Sequence, residues 1–356
     1  MIGERIQQAR KAAGLTLRVL AEKVGVSAMA ISKYENNQST PSSGVLLALA
    51  KELGVRTEYF FRRVSVELVN INHRDHHLIP KKEEQKVIAD VKEQLERWLA
   101  LEEVVPAPWS IPFSLPDDLP GSVTSYDEIE EVAIKMRQHW NLGLNPIPDL
   151  IDTIETKGVK VLITQYDGHK NFNGLSAEVN GAPVVVVGKN WVGDRQRFTL
   201  AHELGHLVLH GILDESLDEE KACHRFSSAF LVPKGSVKNC LGERRTRLEI
   251  RELFLLKHEW GLSMMAWTFR AKDLRIISNA IYKDLWRQYM RHWKAKGKEP
   301  GTQYEQEETR LFPQLVYRAL AEDMLSESKA AELLGMSVTD FHACRKMECP
   351  NDVADQ

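Results

Sequence analysis

The chain has 356 residues, of which 43% are hydrophobic and 27% are charged, and its formal net charge at pH 7 is −3. This composition is that of an ordinary soluble protein, and the length allows two or three domains with at least one substantial core. The small negative charge excludes a global attraction to nucleic acid or to anionic membranes, so any such binding must be local.

Cysteine usage and the lack of long apolar runs indicate the compartment. The four cysteines contain no CxxC pair and do not resemble the disulfide framework of a secreted protein. The N-terminus lacks the apolar core of a signal peptide. The sequence also contains no run of 18 apolar residues, the length needed to span a bilayer. We therefore expect a cytoplasmic protein without a membrane partner.

Residues 1–61 are predicted to form five short helices joined by tight turns. Gly14 ends the first helix and Thr16 caps the second. Gly25 ends the second helix, and Ser27 caps the third. Two helices joined by a four-residue turn that contains glycine have the spacing of a helix-turn-helix.

The string from Leu15 to Asn36 resembles the XRE/Cro-type helix-turn-helix family, and the resemblance covers nearly all of residues 1–61. It implies that the helix over residues 27–36 enters the major groove of double-stranded DNA. The side chains that it implies at bases, phosphates or the sugar-phosphate backbone are Ala28, Met29, Ser32, Lys33, Asn36 and Asn37. We place this DNA-binding domain at residues 1–63.

The charge of this domain agrees only mildly with DNA binding. Residues 1–60 hold eight Lys/Arg and five Asp/Glu, a net charge of +3, which suffices for a few salt-sensitive phosphate contacts. The alternative is a helical module that binds a protein or dimerises. A homodimer would also suit paired DNA half-sites. Arg10 and Glu35 are candidates for a buried ion pair instead of a ligand contact.

A connector is predicted over residues 64–121. It begins with alternating apolar residues that indicate one strand, and residues 81–102 then form a helix with one apolar side. Such a side most often packs on a neighbouring domain, and a two-helix dimer contact is the alternative. Five prolines within residues 104–121 predict an extended, stiff segment that marks a domain boundary.

Two helices and a small sheet are predicted at the start of a third region, placed at residues 122–300. Val159–Thr164 is predicted as one strand, and Leu175–Val179 and Pro183–Val187 flank Asn180-Gly181, a two-residue hairpin signal. The expected fold class is therefore mainly α with a small antiparallel β-sheet (α+β).

The stretch from Arg195 to His210 contains His-Glu-x-x-His in an apolar run without proline. On a helix, the imidazoles of His202 and His206 lie on one face and converge on one point. Two such nitrogens supply half of a tetrahedral zinc shell, and Glu203 beside them can accept a proton from a zinc-bound water. The alternative is a helix with surface histidines, which the apolar stripe on the same helix disfavours.

A zinc site needs a third protein ligand, and a predicted helix within residues 218–233 offers the next candidates. Glu220 and His224 share one face at i and i+4. That arrangement suits a carboxylate ligand followed by a group that orients a ligating imidazole. Glu219 and His224 remain alternative ligands.

Together the two stretches resemble the ImmA/IrrE family of metallopeptidases, in which HExxH is followed by a glutamate helix with a Phe…Pro ending, here Phe226 and Pro233. The resemblance covers about residues 125–235 and implies a zincin-like domain that binds Zn²⁺. In a zincin, a sheet edge beside the metal can pair with an extended substrate strand. Carried over to this chain, the metal ligands are His202, His206 and Glu220, the catalytic base is Glu203, and His224 is a candidate to orient a ligand.

The last region, residues 301–356, is predicted to be helical. Leu315–Leu325, Lys329–Leu334 and Val338–Phe341 are spaced like a second small helix-turn-helix. Packing against the peptidase-like core is favoured over DNA contact for these helices.

The leading interpretation is a DNA-binding transcriptional regulator fused to a zinc endopeptidase. The family resemblance implies a narrow target, a specific repressor or antitoxin-like protein. The alternative is a non-enzymatic repressor or antitoxin whose peptidase-like domain senses a ligand or partner. The intact HExxH favours the enzyme, because a scaffold has no need of Glu203.

Overall fold

The computed structural model describes residues 2–61, 66, 68–73, 81–105, 111–164, 172–293 and 298–348. The α-helices are α1 (Ile2–Ala12), α2 (Leu17–Val24), α3 (Ala28–Glu35), α4 (Ser43–Leu53), α5 (Lys81–Glu102), α6 (Tyr126–His139), α7 (Leu150–Thr156), α8 (Gly193–Leu209), α9 (Glu219–Leu231), α10 (Lys234–Leu241), α11 (Ile250–Trp260), α12 (Met264–Asp273), α13 (Asn279–Gln288), α14 (Leu311–Ala321), α15 (Glu327–Leu333) and α16 (Val338–Arg345). The strands are β1 (Val69–His73), β2 (Lys160–Thr164), β3 (Gly174–Val179) and β4 (Ala182–Gly188). This architecture confirms the mainly α, α+β fold class. In the part of the chain described here, no helix combines the length and apolar character needed to cross a membrane.

The N-terminal domain consists of α1–α4 and a 3-10 helix, Thr57–Phe61, which is the fifth predicted helix. The Thr16 side chain accepts from the Val19 amide and caps α2, and Ser27 caps α3 in the same way. These caps fix where each helix starts, so the apolar stripes of the helices meet in one core. That core is built around Ile6, Leu20, Ile31, Leu49 and Phe60.

The sheet has the strand order β1-β3-β4-β2, and it is mixed where the sequence predicted an antiparallel one. The hairpin between β3 and β4 forms as expected, with Asn180 and Gly181 at φ 50° and 78°. However, β2 pairs parallel with β4, from Lys160 opposite Val184 to Thr164 opposite Gly188. A short apolar run specifies burial on both faces but carries no signal for the direction of pairing, which is why this prediction was wrong.

The connector contributes the fourth strand of the sheet. β1 pairs antiparallel with β3, with Asn72 opposite Ser176 and His73 opposite Leu175. The strand was predicted to begin at residue 64; residues 64, 65 and 67 lie outside the described residues, and the described strand covers residues 69–73. β1 and β2 are therefore the two edges of the sheet.

Helices cover both faces of the sheet. Because successive side chains of a strand point to opposite faces, alternate residues of each strand belong to different cores. Val185 and Val187 of β4 face a core shared with α6–α9, and Val184 and Val186 face a second core. The second core contains Val91, Leu95 and Trp98 of α5 and apolar side chains of α14–α16. The apolar side of the connector helix thus packs on the sheet, and the C-terminal helices join it there.

The segment over residues 298–310 ties these C-terminal helices to the rest of the fold. Glu307 accepts hydrogen bonds from the amides of Leu150 (2.8 Å) and Ile151 (2.9 Å) at the start of α7, and it forms a buried ion pair with Arg197 of α8. The predicted boundary between residues 300 and 301 lies inside this segment.

The N-terminal domain rests on α5. Arg5 of α1 and Glu96 of α5 form a buried ion pair, and the Arg5 guanidinium lies 5.4 Å from the ring centroid of Tyr59. Burying both charges is favourable only when they remain paired, so this contact specifies where α1 sits on α5.

Candidate metal centre and nucleic-acid interface

α8 carries the HExxH residues, and its first turns are held by buried charges. Lys257 of α11 pairs with Asp194 at 2.8 Å, and Arg197 donates to the Ile147 carbonyl (2.8 Å) besides pairing with Glu307. All these side chains lie in the interior, where an unpaired charge is costly, so alternative orientations of α8 are disfavoured. The network therefore positions the helix that bears the candidate ligands.

Gly205, between the two histidines, lets α9 approach α8 closely. A Cβ atom at this position would lie 3.2 Å from Cδ1 of Phe226 and 3.4 Å from the Cα atom of Cys223. The close approach brings the start of α9 beneath the histidine face. This glycine is not among the predicted site residues, although an isolated glycine inside an apolar helix is a recognised sign of close packing.

His202, His206 and Glu220 converge. The Nε2 atoms of the two histidines are 3.2 Å apart, and carboxylate oxygens of Glu220 lie 3.4 Å from His202 Nε2 and 3.5 Å from His206 Nε2. A tetrahedron with zinc–ligand bonds of about 2.0–2.1 Å has edges of about 3.3 Å. The donor types and their spacing therefore fit three corners of a zinc site.

Glu219 lies next to His206, whereas the sequence offered His224 as the group that orients a ligand and Glu219 as an alternative ligand. Its Oε1 lies 2.8 Å from Nδ1 of His206, so the Nε2 of the same ring is directed towards Glu220. His224 instead places a ring nitrogen within 4.8 Å of ligand atoms of both His202 and Glu220, and its ring centroid is 4.9 Å from that of His202. His202 and Glu220 are thus common to two possible metal trios, and the atoms of the trio with His206 are closer together.

The electrostatics of the cluster favour a negative charge on the Glu220 carboxylate and a positive charge on the His206 imidazole. Burial alone would raise the pKa of the Glu220 carboxyl, but hydrogen bonds with His202 and His206 lower it below its usual range. Burial alone would lower the pKa of His206, but contacts with the Cys223 thiol and the Glu220 carboxylate raise it. A metal ion held by these groups would compete with protons for the same atoms.

Glu203 is fully buried and lies against the start of β3. A Cβ atom at Gly174 would be 3.1 Å from Glu203 Oε1 and 2.8 Å from Thr199 Cγ2, so only glycine leaves the carboxylate its present place. The candidate base therefore lies between its own helix and the first residue of a strand.

The predicted DNA-contacting side chains all lie in or just after α3. Those of Ala28, Met29, Lys33, Asn36 and Asn37 are exposed, and that of Ser32 is half-buried. Met29 is 70% exposed, which is unusual for an apolar side chain in a folded domain. Asn37 accepts from the Gly3 amide at 2.9 Å, and Asn36 donates to the Ser32 carbonyl at 2.9 Å. The two asparagines thus also support the end of α3.

Arg10 and Glu35 form the buried ion pair that was considered for them. Arg10 Nε lies 2.5 Å from Glu35 Oε1 and Nη2 lies 2.9 Å from Oε2, and the same guanidinium donates to the Leu15 carbonyl. The pair joins α1 to the end of α3, so both side chains serve the fold of the domain.

Family profiles match two parts of the chain. A helix-turn-helix profile matches residues 6–60, and the profile of the IrrE N-terminal-like domain, a peptidase M78 family, matches residues 154–272. The chain joins a helix-turn-helix domain to an IrrE N-terminal-like domain. Both resemblances found in the sequence are thereby confirmed. The matched ranges contain the α3 residues and the His202–Glu220 cluster.

Similar proteins match over a short stretch. An uncharacterized transcriptional regulator in the ATPase CF(0) region of Rhodospirillum rubrum is 40% identical over 60 residues, 17% of this chain and 56% of that protein. The HTH-type transcriptional regulator ImmR of Bacillus subtilis (strain 168) is 32% identical over 69 residues, 19% of this chain and 54% of that protein. The chain spans about half the length of the curated relatives it matches.

Among solved structures, Bacillus thuringiensis PlcR in complex with the peptide PapR7 and DNA aligns over 98% of this chain and 99% of that chain. The alignment has 14% sequence identity and a TM-score of 0.17, so it carries no argument about this fold.

Proposed function

We propose that the protein is a DNA-binding transcriptional regulator fused to a zinc-dependent endopeptidase that cleaves a specific repressor or antitoxin-like protein. The observation that supports it most is the mutual spacing of 3.2–3.5 Å among His202 Nε2, His206 Nε2 and the Glu220 carboxylate. Glu203, the buried carboxylate next to this trio in the chain, completes the set that peptide hydrolysis requires.

His202, His206 and Glu220 would hold the zinc, and three protein ligands are the number typical of catalytic rather than structural zinc sites. Zinc bound there would act as a Lewis acid on a water molecule and on the scissile carbonyl. Glu219 holds the His206 ring through Nδ1, which keeps Nε2 of that ring available as a ligand.

Glu203 moves the proton. One carboxylate oxygen accepts a proton from the attacking water as the water oxygen bonds to the peptide carbonyl carbon. The same carboxyl then gives that proton to the leaving amide nitrogen as the C–N bond breaks, so water is added across the peptide bond. Because Glu203 is fully buried and lies against Gly174, the carboxylate is held in place before substrate arrives.

DNA binding would restrict cleavage to a narrow set of protein substrates. α3 presents the exposed side chains of Ala28, Met29 and Lys33 on its outer face, as a recognition helix does. A homodimer would place two such helices on paired half-sites. A peptidase brought to an operator meets the proteins bound there, which favours a repressor or antitoxin-like substrate over general protein.

Two variants test the proposal. The purified protein, His202→Ala and Glu203→Gln are compared for bound zinc and, with and without a chelator, for a discrete cut in the products of adjacent genes. We expect His202→Ala to lose zinc. Glu203→Gln should keep zinc while cleavage falls by about 10²–10⁴-fold, the usual contribution of a positioned base. Regulatory function that is undiminished in both variants would support the non-enzymatic sensor instead.

A further inference from the structure

The outer edge of β3 lies beside the candidate catalytic carboxylate. β3 begins at Gly174, whose added Cβ would lie 3.1 Å from Glu203 Oε1, and Leu175 follows in the strand. An extended peptide hydrogen-bonded along this edge would therefore have its backbone next to Glu203. Pairing with a sheet edge is a common way to bind an extended peptide, because main-chain hydrogen bonds do not depend on its sequence.

In this structure the edge is occupied by the chain itself. β1 runs antiparallel along β3, and its last residue, His73, is opposite Leu175, one residue from Gly174. β4 covers the other edge of β3. From Leu175 to Glu178, β3 therefore has a neighbouring strand on both edges, so a second strand that extends along β3 from Gly174 must displace β1.

We propose that the connector strand β1 is an internal competitor that an extended substrate backbone must displace from the edge of β3. The inference rests on the proposed peptidase function. Its partner is an extended segment of a protein, running antiparallel to β3. The protein would accordingly have low activity until β1 leaves the sheet.

β1 is held less firmly than the other strands. Its register with β3 is broken between Val69 and Asn72, whereas β2–β4 and β3–β4 pair without interruption. A break in the ladder removes hydrogen bonds that would otherwise hold the strand. β1 is therefore the strand whose exchange for another costs least.

Release of β1 would leave the rest of the sheet covered. α5 is anchored independently of β1, since Gln94 donates to the Ile163 carbonyl (3.2 Å) and Thr164 donates to Asp90 (2.5 Å). Val91, Leu95 and Trp98 of α5 also remain in the core beneath the sheet. Exchange of β1 is thus compatible with a folded domain.

A reversible crosslink tests whether β1 must leave. Asn72 and Ser176 are directly opposite each other, so N72C/S176C places two cysteines at a separation that suits a disulfide. The probe is a fluorescent synthetic peptide with the sequence of residues 66–75, and its binding to the full chain is measured with and without reductant. We expect at least about tenfold weaker binding in the oxidised form, because a tethered strand competes at a high effective concentration. Equal binding in both forms would overturn the proposal.

A second pair of variants weakens the competitor. I71P/N72P removes two backbone N–H groups from β1 and fixes φ at both positions, which weakens the pairing of β1 with β3. I71A/N72A keeps both N–H groups and is the matched control. We expect the proline variant to bind the probe about tenfold more tightly than the alanine variant. Indistinguishable affinities, with both variants folded by circular dichroism, would contradict the inference.

Zinc content and cleavage, measured on the same samples, separate the two proposals. Probe binding that follows the predicted order without any cleavage would refute the peptidase and retain the competitor. Cleavage that is equally fast in the oxidised and reduced crosslinked forms would retain the peptidase and refute the competitor.

Discussion

α8 carries the candidate metal ligands and α3 the predicted DNA-contacting side chains, and the two sets have opposite surroundings. His202 and His206 on α8 are 0% and 6% exposed, whereas Met29 on α3 is 70% exposed. In the interior, each polar group needs a neighbour to hold it, so the geometry of the metal centre depends on many other residues. On the surface, a side chain can change without affecting the fold, and its importance appears only with its partner. Changes around α8 should therefore alter stability and metal binding, and changes on α3 should alter DNA binding alone.

The largest expected effect concerns Glu155, a buried carboxyl on α7. Burial raises its pKa to about 8, and the nearby backbone amides of Arg310 and Leu311 offset this only in part. The folded state then keeps a proton that the unfolded state has already lost above its ordinary pKa of 4.5. Stability should fall between pH 4.5 and 8, by at most about 1.4 kcal/mol per pH unit.

Glu155→Gln should remove most of this slope, as measured by urea unfolding at several pH values. Glu131→Gln, at an exposed position on α6, is the control and should leave the slope in place. A slope that persists in Glu155→Gln would mean that another group titrates in this range.

The next effect concerns Gly205. Alanine normally stabilises a helix interior by about 1 kcal/mol relative to glycine. At Gly205, however, its Cβ would press on Phe226 and Cys223 and separate α8 from α9. Gly235→Ala on α10, where a Cβ meets nothing within 4 Å, is the matched control. We expect Gly205→Ala to unfold at a lower urea concentration than Gly235→Ala, with a free energy of unfolding that is smaller by about 1–3 kcal/mol. A Gly205→Ala variant as stable as the control would show that the two helices can adjust without cost.

A smaller and more local effect is expected at Glu219. Its carboxylate orients His206 through Nδ1, and loss of such a partner typically weakens metal binding by about 10–100-fold. Glu219→Gln should show this decrease in a zinc titration while its melting temperature stays close to that of the unaltered protein. Glu215→Gln removes an exposed carboxylate nearby and should bind zinc normally. Zinc affinity that is lowered equally in both variants would indicate only a general loss of negative charge.

The smallest effect is expected on α3. Lys33→Ala should leave stability unchanged and lower the salt dependence of DNA binding by about 0.9 in the logarithmic slope, the value for one phosphate contact. Lys51→Ala, an exposed lysine on α4, is the comparison. A slope that changes with Lys51 and not with Lys33 would move the DNA-binding surface away from α3.

Local patterns in the sequence predicted much of both regions. The Thr16 and Ser27 caps, the Asn180-Gly181 hairpin and the placement of His202 and His206 on one helical face all depend on residues a few positions apart. Such short-range features are determined by backbone geometry, and they appear in the structure as expected.

The errors concern residues that meet over long distances in the chain. The parallel pairing of β2 with β4, which was predicted wrongly, and the pairing of β1 with β3, which was not predicted, bring together segments that no local pattern links. The sequence also could not decide which side chain lies next to Nδ1 of His206. Adjacent positions on a helix differ by about 100°, and the crossing of α8 and α9 decides which of them faces His206.

Glu307 has a consequence for any attempt to isolate the metal-binding half. Its carboxylate holds the first amides of α7 and the Arg197 guanidinium, although it lies more than a hundred residues from either. A protein shortened at residue 300 would leave that guanidinium buried without its counter-ion and would expose the apolar underside of the sheet to water. The region after residue 300 is thus part of the folded core. Its removal should cause aggregation and should not give a smaller folded protein.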